Sequence, residues 1–129
     1  MSDTVSLETA LDVADNRSSG FKDELKRKEK IVAINAQTGT TYTFVIGDAG
    51  KRVRCTNANA ITVTVPQNSS VAYDIGTVIE VEQGGAGVVT LDEDTNVVIN
   101  GALKTWGQYS AVRLLKLDTN LWTVDGGSE

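Results

Sequence analysis

The 129-residue chain has no histidine. That removes the commonest general base, the Ser-His triad and most transition-metal sites together. It has a single cysteine, Cys55, so no internal disulfide can form, and the expected setting is a reducing cytoplasm. Cys55 alternates with Arg54 and Thr56 at an inward position, where a thiol behaves as a small hydrophobe. Proline also occurs once, as Pro66, and closes a β-branched run where its missing donor costs least. No apolar run approaches membrane-spanning length. The opening Met1–Val5 has neither a basic n-region nor an apolar h-region, so no signal peptide is expected. A net charge of −5 and a pI near 4.7 argue against nucleic acid and against anionic membranes as partners.

The chain divides into two unequal parts, 1–30 and 31–129. The first thirty residues hold 7 of the 17 acidic and 6 of the 12 basic side chains, with few large apolar ones. Leu7, Leu11, Ala14, Ser18, Phe21 and Leu25 recur at spacings of 4, 3, 4, 3 and 4, the pattern of a helical seam. Asn16–Gly20 interrupts it with poor helix formers, leaving two short helical pieces that need something to pack on. The alternatives for 1–30 are a solvated, partly disordered arm or one that docks on a neighbouring subunit. In the second case Leu7, Leu11, Phe21 and Leu25 are the candidate contacts to that subunit.

From Ile31 onward β-branched residues, threonine and glycine dominate, and alternating runs recur about every ten residues. A period of two marks strands with one buried face. The expected strands lie near 31–36, 41–46, 51–56, 60–65, 77–83, 87–91, 96–99, 109–117 and 120–125. Two units stand out: 52–56 and 60–66 around Asn57–Asn59, then 78–83 and 87–91 around Gly84–Ala86. Pairing Val53 with Val63 and Cys55 with Ile61 keeps apolar and polar faces separate and predicts an antiparallel hairpin with a three-residue loop. Val81 with Val89 and Ile79 with Leu91 give the second hairpin, and Leu114–Leu117 with Leu121–Val124 a third. The third has apolar residues on both faces, as a central strand pair or a subunit interface would. The predicted fold is all-β, a small antiparallel sandwich or barrel built from hairpins, preceded by a short, partly helical arm.

Chemistry is harder to find. Gly84–Gly87 is glycine-rich but lies between strands and opens no helix, so it lacks the amide cluster that binds phosphate. Asp92, Asp94 and Asn96 mimic the first ligands of a calcium loop, but Val97 and Leu103 stand where its glycine and closing glutamate belong. Glu80 and Glu82 point outward on one strand. Lys51, Arg52 and Arg54 make a basic stripe that is either solvated or meets an acidic patch of another subunit. No catalytic, metal or cofactor set is predicted, and the expectation is a chain that is not an enzyme. The aromatics Tyr42, Tyr73, Tyr109, Trp106 and Trp122 suit core anchoring, or alternatively a sugar-stacking platform.

The run Thr38–Lys51, then Asn59–Ser70, Ile75–Thr77 and Gly84–Val89 resembles a β module of tailed-bacteriophage virion proteins. It is found in head decoration or head-fibre proteins and at the ends of tail fibres. Leu103–Ser110 and Leu121–Gly126 resemble the module's close. The resemblance spans about Ile31 to Gly127 and implies a non-enzymatic virion component, commonly a homo-oligomer and often a trimer. A tail fibre would carry a long shaft ahead of the module. With thirty residues there instead, the expectation is a capsid decoration (cement) or head-fibre protein on the outer capsid surface, held to the major capsid protein by its arm. The alternative is a tail-fibre or receptor tip, for which Trp106 and Tyr109 are the candidate glycan contacts.

Overall fold

The computed structural model describes residues 31–129; residues 1–30, with Leu7, Leu11, Phe21 and Leu25, lie outside the described residues. The body is mostly β. Nine strands follow in order: β1 Ile34–Gln37, β2 Thr41–Thr43, β3 Arg52–Cys55, β4 Ile61–Val65, β5 Val78–Gln83, β6 Val89–Glu93, β7 Val98–Asn100, β8 Ala111–Asp118 and β9 Leu121–Asp125, with a 3-10 turn at Ile46–Asp48. Each coincides with a run expected from two-residue alternation, to within a few residues at the ends.

The pairing differs from the hairpins expected. Strands β3 and β4 do not pair with each other, and neither do β5 and β6. Instead β1, β3 and β5 lie side by side in parallel, and so do β2, β4 and β6. Val53 sits against Val81, and Val63 against Leu91. The chain therefore winds in three turns, each laying one strand in each sheet. Parallel neighbours need a long crossover; here each crossover carries a strand of the opposite sheet. The faces were read correctly, because a period of two fixes which residues point inward. It is silent about which strand lies alongside, since a parallel neighbour satisfies same-face matching as well as an antiparallel one.

After the third turn the chain reverses. β8 runs antiparallel to β5, β9 antiparallel to β8, and β7 parallel to β9, completing a six-stranded sheet of order β1-β3-β5-β8-β9-β7 beside the three-stranded β2-β4-β6. The last hairpin is antiparallel as expected, with an irregularity between Lys116 and Asp118. β8 lies inside the sheet with both edges paired; Val112 and Leu114 face the core, while Leu115 is half-buried and Leu117 exposed on the outer face.

Both sheets contribute to one core. Val53, Cys55, Ile79, Val81, Val112, Leu114, Trp122 and Val124 come from the larger sheet, Ile61, Val63, Val65, Val89 and Leu91 from the smaller. Fully burying a Val, Leu or Ile side chain is worth about 1.5–3 kcal/mol, so these positions dominate the cohesion of the body. Tyr73 meets Trp122 edge-on, with ring centroids 5.7 Å apart.

The connections between sheets stack on one another. The side chain of Asn57 donates to the carbonyl of Thr38 in the turn before (2.9 Å), while the carbonyl of Asn57 accepts from the amide of Gly87 in the turn after (2.8 Å). The approach is so close that a Cβ on Gly87 would stand 1.8 Å from the carbonyl oxygen of Asn59. Gly84–Ala86 is thus a corner joining β5 to β6 across the core, not the loop of a hairpin.

Two inward polar groups pin the opposite connections. Asp48, 1% exposed, accepts from the Tyr42 hydroxyl (2.6 Å), the Asn35 side chain (2.8 Å) and the Val45 amide (3.0 Å). Lys116, 2% exposed, donates from Nζ to the Asn68 side chain (2.6 Å) and the Tyr73 carbonyl (2.7 Å), tying the 66–76 connection to β8. Both acceptors are neutral, and burial pulls the Lys116 pKa below its ordinary value, with Asp74 opposing.

Burial also raises three acids: Tyr42 to about 12, with Asp48 adding to the shift, Cys55 to about 11, with Glu82 adding, and Tyr73 further still. A group whose folded pKa is raised contributes stability that is complete below its unfolded pKa and lost as pH climbs toward the folded one. The unfolded values are near 9.0 for the thiol and 10.0 for the phenols. The urea midpoint should therefore hold to about pH 9 and fall steadily above it. Lys116 acts in the opposite sense, since its depressed pKa is a penalty relieved as pH rises toward 10.5, but it is one group against three. A midpoint that stays level through about pH 11 would contradict the buried, protonated state of these acids.

Candidate functional site

The charged residues on the outer face of the larger sheet neutralise one another. Arg52 lies beside Glu80, and Arg54 beside Glu82. Arg54 Nε stands 3.1 Å from Glu82, and Arg52 Nε 3.6 Å from each glutamate. The acidic neighbours of the basic stripe are thus on the next strand of the same chain. Such half-exposed pairs contribute at most about 1 kcal/mol each, and they leave no carboxylate pair facing a cleft. Cys55 is buried, as expected for a small core residue. Asp94 is consumed by local bonds to the amides of Thr95 and Gln67, and Glu93 by the amide of Ile99. Among the described residues no three His, Cys, Asp or Glu side chains gather as metal ligands would.

The aromatics separate into two groups. Trp122 and Tyr73 are buried and Tyr42 is half-buried against Phe44, so core anchoring holds for these three. It fails for Trp106 and Tyr109, which are 72% and 70% exposed. Both belong to the segment 103–110, which returns along β6 before entering β8. The Leu91 amide donates to the Leu103 carbonyl (2.7 Å), Thr90 bridges Lys104 antiparallel, and the Thr105 amide donates to the Val89 carbonyl (3.0 Å). Thr105 is buried. Its hydroxyl donates to Gln83 Oε1 (2.5 Å) and accepts from the Val89 amide (3.0 Å), while Gln83 Nε2 reaches the carbonyls of Gly85 and Ala86 (3.1 and 3.2 Å). The segment is anchored to the Gly84–Ala86 corner immediately before Trp106.

A tight turn follows. The Ser110 amide donates to the Gly107 carbonyl (3.1 Å), and the Ser110 hydroxyl bonds the same residue's carbonyl (2.7 Å) and amide (3.1 Å). Gln108 and Tyr109 are its central residues. Tyr109 has φ = 73° and Gln108 is not in the positive region, which is the geometry of a type II turn, where the third position calls for glycine or asparagine. The Tyr109 amide is fixed to the Gln83 carbonyl (2.6 Å), and the Gln108 side chain reaches the Gly84 carbonyl (3.4 Å). An exposed tyrosine thus occupies a backbone conformation costing an L-residue about 1–2 kcal/mol.

The same register leads to the outer face of the smaller sheet. Cα partners on neighbouring strands share a face, so Thr41, Thr62, Thr90 and Lys104 form one row and Thr43, Thr64 and Asp92 a second. Trp106 lies two residues beyond Lys104, at the level of the half-exposed Val88. No family model matches the chain, and no curated protein matches it either.

Sequence reasoning named Trp106 and Tyr109 but missed the left-handed backbone at Tyr109, because Gly-Gln-Tyr-Ser does not carry the glycine or asparagine that signals such a turn. It also passed over Lys116. Its alternation with Val112 and Leu114 was the available signal, obscured by the apolar residues on the other face of β8.

Proposed function

We propose that the chain is a non-enzymatic structural protein of a tailed-bacteriophage virion, a capsid decoration (cement) or head-fibre protein. In this reading the two sheets act as the facing layers of a small sandwich-like body. Residues 1–30 form a partly helical arm that docks on the major capsid protein at the outer surface of the shell. The body is a homo-oligomer, a trimer in the proteins it resembles. The support is the resemblance carried by Thr38–Lys51, Asn59–Ser70 and Leu103–Ser110, joined to one structural observation, the outer face of the six-stranded sheet.

On that face Ile34, Arg52, Glu80, Arg113 and Asp125 share one row, and Val78, Leu115, Thr123 and Asn100 the next. Ile34, Val98 and Leu117 are 56%, 51% and 43% exposed. A row of alternating charge, with partly buried Val78 and Leu115 beside it and exposed Ile34, Val98 and Leu117 around it, fits a second copy of the same surface: the apolar side chains supply area and the charges set register. A protein that binds only the assembled shell stabilises it by mass action, and an arm that orders on docking contributes area at an entropic cost.

The full chain should sediment as an oligomer and co-pellet with capsids, and deletion of residues 1–30 should abolish co-pelleting while leaving the β-sheet circular dichroism intact. A truncated chain that still pellets with capsids would remove the arm's role. A full chain that stays in the supernatant would remove the virion reading itself.

A further inference from the structure

Strand β7 is the outer strand of the six-stranded sheet and pairs with β9 alone. Along a strand successive amides face opposite edges. The Val98 amide donates inward to the Asn120 carbonyl (2.9 Å), and the Ile99 amide donates to Glu93 Oε2 (2.6 Å) on the open side. The same alternation turns the Asn100 amide toward β9 and the Gly101 amide to the open side. There the Gly101 amide makes no hydrogen bond among the described residues. Asn100 is exposed, and its side chain has no hydrogen-bond partner among them either. An unbonded side-chain amide is thus followed by an unbonded backbone nitrogen, on a residue with no Cβ to crowd it. The fold itself demands glycine here: φ at Gly101 is 121°, and a Cβ would stand 2.4 Å from the Val124 carbonyl oxygen.

The other described asparagines are differently placed. The side chains of Asn35, Asn57, Asn68 and Asn120 are held by hydrogen bonds to Asp48, Thr38, Lys116 and the Asn68 amide. Asn96 precedes Val97, whose amide is engaged by the Asp94 carbonyl (2.9 Å). Asn59 precedes Ala60, so its neighbour carries the Cβ that Gly101 lacks.

We propose that Asn100 is a site of intramolecular deamidation, converted by the Gly101 nitrogen and water to aspartate and isoaspartate. The Gly101 nitrogen loses its proton to solvent and attacks Cγ of Asn100. As that N–C bond forms, the bond from Cγ to Nδ2 breaks, and ammonia leaves with a proton from solvent, giving a cyclic imide. Water then adds to either ring carbonyl and opens the ring. One opening restores the main chain as aspartate, and the other reroutes it through Cγ as isoaspartate. Each product is the asparagine plus water less ammonia, with no change of oxidation state. Attack requires Asn100 to leave the extended conformation, and β7 allows it, being 3 residues long and paired on one side. Such edge segments open at low free energy. The product adds a carboxylate beside Ile99, whose amide already holds Glu93. Isoaspartate also lengthens the main chain next to the close approach of Gly101 to Val124, so aged protein should release β7 before any other strand of the larger sheet.

This chemistry does not rest on the virion reading, which capsid co-pelleting tests separately. Its test is incubation of the folded full-length chain in neutral buffer, with peptide mapping by mass spectrometry and enzymatic methylation of isoaspartate. Conversion at Asn100 should run on the order of tenfold faster than at Asn59, because only glycine leaves the attacking nitrogen uncrowded. Asn35, Asn57, Asn68 and Asn120 should stay intact over the same period. Asn100→Gln should stop the conversion at this position without lowering the melting temperature, since the Asn100 side chain makes no hydrogen bond to lose. The guanidinium-unfolded chain is the reference. Asn100 that converts there but stays intact in the folded protein would show that β7 does not open, and would overturn the proposal. So would folded-state conversion no faster than at Asn59, or an Asn100 that is stable in both states.

Discussion

Gly87→Ala is expected to lower the melting temperature by more than about 10 °C, or to prevent folding altogether. The added methyl would meet the Asn59 carbonyl oxygen at 1.8 Å and the Asn57 carbonyl oxygen at 2.9 Å, both backbone atoms of the preceding turn. Neither can rotate away. Relief requires the two corners to separate, which lengthens the 2.8 Å bond from the Gly87 amide to Asn57 and strains the adjoining β4–β6 ladder. Overpacking in a closely packed interior costs about 1–3 kcal/mol, more when backbone must move, and each kcal/mol is worth about 4–8 °C in a body of this size. Gly107→Ala is the control, because a Cβ there meets nothing within 4 Å. Calorimetry on the pair separates steric exclusion from the general cost of replacing glycine. A Gly87→Ala protein melting within about 3 °C of the parent would mean that the corners are not closely stacked.

Asp48→Ala should cost about 2–3 kcal/mol, the scale of leaving buried donors without their acceptor. Its carboxylate serves three donors, from Tyr42, Asn35 and the Val45 backbone, of which the Asn35 side chain also donates to the Tyr42 hydroxyl (2.9 Å). Alanine leaves all three without that acceptor where Asp48 itself is 1% exposed and Asn35 and Tyr42 are partly buried. Asp48→Asn should recover little, since one acceptor oxygen becomes an amide facing a donor. The loss should be local as well as global. Asp48 ties β1 and β2 to the 3-10 turn, so hydrogen exchange should accelerate first at the amides of Asn35, Tyr42 and Phe44 and last at those of β5 and β8. Uniform acceleration across all nine strands would show that the first turn does not open on its own.

Much of the body was legible in the sequence, and for a definable reason. Alternation at Arg52–Cys55, Ile61–Val65 and Val78–Gln83 identified strands and faces, because side-chain direction is a property of each strand alone. Pairing is a property of two strands, and same-face matching left parallel and antiparallel partners equivalent. One signal would have separated them. Arg52 aligns with Glu80 and Ile61 with Val89, both at an offset of 28 residues. A single offset serving both halves of a repeat marks translation of the whole unit, whereas a hairpin folds the unit on itself.

The candidate site was half legible. The exposed rings could be named from residue type, but Tyr109's backbone could not, because its conformation is imposed by the Gln83–Thr105 anchor and not by its neighbours in the chain. Lys116 illustrates the same limit: a lysine between two leucines suggests an outward position, and only the acceptors from Asn68 and Tyr73 explain its inward one.

The parallel winding makes the length of the body a countable quantity. The second and third turns are related by one translation, and among the described residues β1 and β2 form the outer edges of their sheets, where the count begins. Duplicating one 28-residue unit would add about 4.8 Å and leave every existing contact except one interface unchanged, as in other stacked-repeat folds. Such a lineage can tune its reach in fixed increments, like notches on a ruler, while the β7–β9 cap and the aromatic turn keep their shape at the far end.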